Sequence, residues 1–198
     1  TYTGGNEVSR GRYGAALREL NRELDGGAAT VSNTNSLIGG FDAALQGSFQ
    51  NWGDLTITSD IPEDAPVFLF QRSLDLTTGV ANVHFHYDGT DYMRDYFVSN
   101  PDDVMVAHLT SVGKDALNFD VALPLNSGWS KSGAQVVIDG DTLTSSGALG
   151  NNGLLYNAKI RAVVEGEGTT VAASDAGDAL TIANASEVTL YLAAGTDY

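Results

Sequence analysis

The chain has 198 residues, 42% of them hydrophobic, which is enough for one domain with a sizeable core. Its 25 acidic residues against 10 basic ones give a formal charge of −15, a field that repels phosphate backbones and anionic headgroups and argues against nucleic acid or a membrane surface as partner. Absence of cysteine excludes disulfides, thiolate metal sites and thiol catalysis, and leaves the compartment open.

No run of about 18 apolar residues is present, so no helical membrane insertion is expected, and any export leader lies outside this chain. Glycine is frequent, 23 residues against 4 prolines, which suits short strands joined by tight turns. From Tyr13 to Leu24 the apolar residues Tyr13, Leu17, Leu20 and Leu24 recur three or four apart, with Arg18, Glu19, Arg22 and Glu23 between them. This predicts an amphipathic helix that stops at Asp25-Gly26-Gly27. Ala28 to Gln50 reads as a loop with one short helix around Leu37-Ile38.

After Trp52 the period changes to two. "DLTITSD" alternates Leu55 and Ile57 against Thr56 and Thr58, and "ANVHFHYDGTDYMRDYFVS" places Val83, Phe85 and Tyr87 on one face before turning at Asp88-Gly89 and returning through Tyr92 and Tyr96. Further strands are predicted over 104–110, 117–123, 135–139, 154–165, 169–173, 179–182 and 188–193, each bounded by Gly, Asp, Asn or Ser. The expected fold is mainly β, an antiparallel β-sandwich with one or two short helices near the N-terminus. No internal repeat, charge run or Pro-rich linker divides residues 1–198, so a single domain is expected.

His84 and His86 lie two apart on a strand, facing one way, with the Asp88 carboxylate continuing that face; this is a geometry that can bind a metal. Two ligands are too few for a typical zinc site, and the histidines lie opposite the apolar face, so a solvated or interface role is the simpler reading. Glu19 with Glu23, and Glu165 with Glu167, are pairs of the type used in glycoside hydrolysis. The first pair sits on a charged helix face and the second in a "VEGEGT" turn, where carboxylates are ordinarily solvated. G-x-S-x-G, phosphate-loop and H-E-x-x-H signatures are absent, and Asn184-Ala185-Ser186 matches a glycosylation acceptor pattern that often arises by chance. Trp52 and Trp129 could stack on sugar rings or anchor an interface. Arg72 and Arg94 are cations available to Asp75, Asp95 or Asp102. No catalytic, cofactor-binding or metal-ligating set is therefore assigned; Trp52, His84, His86 and Trp129 are the candidates for carbohydrate or interdomain contact.

"WGDLTI" (52–57), "FQRSLDLTTGVANVHFHYDGTDYMRDYFVSNPDDVMVAHLT" (70–110) and "VTLYLAAGTDY" (188–198) together resemble the N-terminal β-domain of the α-L-fucosidases of glycoside hydrolase family ninety-five. "TYTGG" at 1–5 resembles that family's "L-W-S-G-G". The preceding "G-N-G-R-L-G" segment of the family is missing, so the domain is expected to lack its first strands. Gln71 stands where arginine is frequent, and Asp95 replaces the usual glutamate. The resemblance implies a galactose-mutarotase-like supersandwich that supports and docks a downstream (α/α)6 barrel of the same polypeptide. In that family the barrel hydrolyses terminal α-L-fucose with inversion and without metal or organic cofactor. None of its catalytic positions falls on this chain. The implied partners are that barrel and a fucosylated or related glycan, and the implied location is outside a bacterial cell. Two other readings remain open: a stand-alone carbohydrate-binding module, and a metal-dependent enzyme using His84, His86 and Asp88.

Overall fold

A pleated strand turns successive side chains to opposite faces, so a strand that buries one face writes a period of two into its sequence. The computed structural model describes residues 53–124, 132–148 and 154–197. Twelve strands occur there: β1 (Thr56–Ser59), β2 (Phe68–Asp75), β3 (Val80–Tyr87), β4 (Thr90–Ser99), β5 (Val104–Gly113), β6 (Leu117–Ala122), β7 (Ser132–Asp139), β8 (Thr142–Ala148), β9 (Leu155–Glu165), β10 (Thr170–Ala173), β11 (Ala179–Ala185) and β12 (Glu187–Thr196). They form two antiparallel sheets, a smaller one ordered β1-β6-β11-β10 and a larger one ordered β2-β3-β4-β5-β12-β9-β8-β7. The mainly β, sandwich-like class expected from the sequence is what the chain adopts. The predicted helix at Tyr13–Leu24 and the segment after it lie outside the described residues, as do Trp52 and Trp129.

The core sits between the sheets and is centred on β9 and β12. On β9 the buried residues are Tyr156, Ala158, Ile160 and Ala162, and every residue between them is exposed. β12 sets Val188 opposite Val164 and Leu190 opposite Ala162, while on its other side the same two residues face Leu109 and Ala107 of β5. One inward-facing layer thus runs without interruption through three neighbouring strands. The small sheet answers it with Leu117, Phe119 and Val121 of β6 and Leu180 and Ile182 of β11, all buried. Fully burying one such side chain stabilises by about 1.5–3 kcal/mol, so this layer dominates the stability of the domain. Phe85 and Tyr92 extend it onto β3 and β4, their rings stacked with centroids 5.0 Å apart.

Turn chemistry fixes the hairpins. Asp88 and Gly89 both have positive φ, 42° and 82°, the backbone required at both central residues of a two-residue turn whose twist matches the strands it joins. At Gly147 the constraint is packing instead, because a Cβ there would collide with the Tyr156 hydroxyl from the facing residue of β9.

Two strands were not anticipated. β8 reads TLTSSGA, with Leu143 its one large apolar residue; its inward positions include Ser145, fully buried with a hydroxyl that has no protein partner among the described residues. β2 begins Phe68-Leu69-Phe70 and does not alternate, because a register shift falls between Phe68 and Gln71 and Leu69 takes a left-handed φ of 53°.

Two substitutions separate packing from polarity in this core. Ile160→Ala is expected to cost about 2–5 kcal/mol in urea unfolding, with an unchanged m-value. Ser145→Ala, which removes a buried hydroxyl without opening a large void, is expected to be neutral or to stabilise by up to about 1 kcal/mol.

Candidate functional site

The β3–β4 hairpin has two chemically different faces. Val83 and Tyr87 pack against the core on either side of buried Phe85, while His84 and His86 stand on the opposite face, as the alternation predicts. Asp91 of β4 lies directly across from His86, and its Oδ1 is 3.1 Å from His86 Nδ1 and 3.3 Å from His84 Nε2. One carboxylate oxygen therefore joins both imidazoles. Next along the hairpin, Asn82 Nδ2 donates to Asp95 Oδ1 at 2.6 Å, and Asp95 is paired across the sheet with His108 of β5. His108 Nε2 in turn lies 3.0 Å from Glu187 Oε1 on β12. The result is a polar belt across four strands on the outer face of the large sheet, and it holds all three histidines of the chain.

The belt differs from the sequence expectation in its carboxylate. Asp88 does not continue the histidine face: the turn's positive φ rotates it off the strand, and its Oδ2 accepts from Lys114 Nζ at 2.6 Å. Among the described residues no three His, Asp or Glu side chains are arranged to hold a metal ion. The arginine pairs also differ. Arg94 lies on the inner face, opposite Val83 and Leu109, with its guanidinium carbon 5.4 Å from the Phe85 ring centroid; Arg72 stands 5.7 Å from that of Phe70. Asp75 is instead held by the Thr77 amide and the Thr78 hydroxyl, Asp95 by Asn82 and Asp102 by the Ser99 hydroxyl. Glu165 and Glu167 are exposed at the end of β9 and in the following turn, and Glu19 and Glu23 lie outside the described residues.

Hydrogen bonds from His86 and then His84 hold the Asp91 carboxyl below the usual carboxylate range, against a smaller opposing effect of desolvation. The ionised form is the one the two imidazoles stabilise, and nothing in this arrangement supplies a raised acid or an activated nucleophile.

Beside the belt lies an apolar edge. All eight residues of β2 are exposed, including Phe68 at 62%, Phe70 at 56% and Leu74 at 59%, and Leu76 just beyond is 86% exposed. β2 ends the large sheet, so one side of its backbone has no strand neighbour among the described residues. Met93 and Phe97 of β4 are also exposed and share the outer face with the histidines. Sequence reasoning found the histidines and overlooked this edge. The available signal was the run Phe68-Leu69-Phe70, too apolar for a loop and unpatterned for a half-buried strand.

Asp91 gives a signed pH dependence. Its folded pKa lies below the ordinary 3.8, so the stability it contributes is complete above the unfolded value and is lost as pH falls through the folded one. The stability difference between the native chain and Asp91→Asn should shrink as pH falls below about 4, measured by urea unfolding at each pH.

Comparisons with known proteins bear on the whole chain. The family described as "Glycosyl hydrolase family 65, N-terminal domain" matches residues 3–198. "Probable alpha-fucosidase A" of Aspergillus niger is 28% identical over 200 residues, an alignment that covers 100% of this chain and 24% of that protein. "Alpha-L-fucosidase 2" of Arabidopsis thaliana is 38% identical over 53 residues, 27% of this chain and 6% of the relative. Among solved structures, "Putative kojibiose phosphorylase from human microbiome" superposes with a TM-score of 0.51 at 11% identity, covering 73% of this chain and 22% of that one, a likeness of fold. The chain thus spans about a quarter of the length of the relative it matches from end to end.

Proposed function

The chain belongs to the family of glycosyl hydrolase family 65 N-terminal domains, and on that premise we propose that it is the non-catalytic β-domain of a larger α-L-fucosidase-like glycoside hydrolase, supporting and docking a catalytic part that follows it in the polypeptide. The observation that carries this reading is the β2 edge: eight consecutive exposed residues, rich in Phe and Leu, at the end of the large sheet, with Phe70 and Leu74 on the face that is buried further along the sheet and open here. Isolated soluble domains rarely leave such a patch open. The fucosidase assignment is supported by the names of the two curated relatives and by the motifs at 52–57, 70–110 and 188–198. The chemistry is assigned to the neighbour, because the outer-face carboxylates Asp91, Asp95, Asp102 and Glu187 are tied to histidines, an amide or a hydroxyl.

Two measurements test this. On a 2′-fucosyl oligosaccharide the 198-residue chain should be inactive, while a polypeptide extended through the next several hundred residues of its gene should turn over; activity in the shorter chain would overturn the reading. Phe70→Asp with Leu74→Asp should leave the short chain's unfolding free energy within about 0.5 kcal/mol, since both positions are exposed. In the extended polypeptide the same pair should lower the melting temperature and open the boundary to limited proteolysis. Unchanged behaviour there would remove β2 as the dock.

A further inference from the structure

At the far end of the large sheet from β2, a cleft of about 840 Å³ opens on the outer face of β7, β8, β9 and β12. Its centre is a single cross-strand row: Gln135 faces Ser146, Ser146 faces Asn157, and Asn157 faces Gly195. Neighbouring strands lie roughly 4.8 Å apart, so the three polar side chains span about 10 Å, with Lys159 one pleat further along β9. None of these four side chains has a hydrogen-bond partner among the described residues, whereas elsewhere on this face the polar groups of the histidine belt are tied to one another. The floor between them is made of Ala148, Ala193 and Gly195, and a Cβ built on Gly195 meets nothing within 4 Å. Tyr191 is exposed on the same face of β12, two residues before Ala193.

We propose that this cleft binds a neutral oligosaccharide. Two primary amides and a hydroxyl offer donors and acceptors together, matching the dual hydrogen-bonding character of sugar hydroxyls. The small apolar floor, with Leu155 beside it, can receive the C–H face of a ring. Anionic ligands fit poorly: Lys159 is the one cation lining the cleft among the described residues, and the chain carries a formal charge of −15. A metal ion fits poorly as well, because the only carboxylate at the rim among the described residues, Asp197, already accepts the Leu155 amide at 2.8 Å. Ligand class is argued from the cleft alone, so the proposal does not depend on docking at β2.

The test is a titration of the isotope-labelled 198-residue chain with 2′-fucosyllactose, lactose and maltotriose, followed by amide NMR shifts. Saturable shifts centred on Gln135, Ser146, Asn157 and 193–196 with at least one sugar are expected. Gln135→Ala with Asn157→Ala should weaken that binding at least about tenfold, the cost of losing two hydrogen bonds. Gly195→Leu, which fills open space without backbone strain, should abolish it with no change in melting temperature. Met93→Ala, on the same face but at the other end, should leave it unchanged. No saturable shift with any of the three sugars, or shifts that survive both cleft variants, would overturn the proposal.

Discussion

The layer formed by Leu109, Ala107, Val188, Leu190, Ala162 and Ile160, running across β5, β12 and β9, is the constraint on which the rest of the domain depends. It commits one face of the large sheet to the small sheet, and because the side-chain period is two, a slip of one residue in any of these strands would exchange core for surface along its whole length. Register is therefore fixed at the centre of the sheet by burial, and the outer strands inherit it through their ladders. The positions of His84, His86, Asp91, Asn157 and Ser146 follow from that inheritance, since each occupies the parity the buried layer leaves over.

The outer face then divides by chemistry along the strand order. Near β2 it is apolar and carries carboxylates satisfied by histidine and asparagine; near β7 to β9 it is small, polar and unsatisfied. Satisfied polar groups can be covered by another surface at little desolvation cost, whereas free amides and hydroxyls are most useful where a ligand supplies their partners. The two ends of one sheet face are thus suited to different occupants, and the four strand spacings from β2 to β12, the nearest strand of the cleft, allow both to be engaged together.

The strands of the inner layer were legible in the sequence because burial of one face is what makes alternation visible. "VHFHY", "LNFDV" and the β9 segment all show it, and the face assigned to Val83, Phe85 and Tyr87 is the one that packs on the core. β2 escaped because neither of its faces is buried, so no pattern is imposed on it, and β8 escaped because its inward positions are filled by one leucine and small residues under the bulk of Tyr156. Asp88 continues the alternation of His84 and His86 in the sequence, but a two-residue turn rotates its central positions out of the pleat and returns the next strand, with Asp91, directly opposite the first. The His108 and Glu187 contact joins residues 79 apart and has no local signature at all.

The left-handed residue at Leu69 and the register shift beside it limit what the open edge of β2 can do. Two copies of a flat, apolar edge strand could zip together through a continuous ladder, the first step toward a fibril. A bulge interrupts the even spacing of amide and carbonyl groups and tightens the local twist, so a second copy could match only a short stretch before its groups fall out of step. The edge can therefore stay apolar enough to meet a shaped surface through side chains while remaining a poor template for its own kind. During synthesis, when many identical nascent chains crowd along one message, that difference separates a domain that waits from one that aggregates.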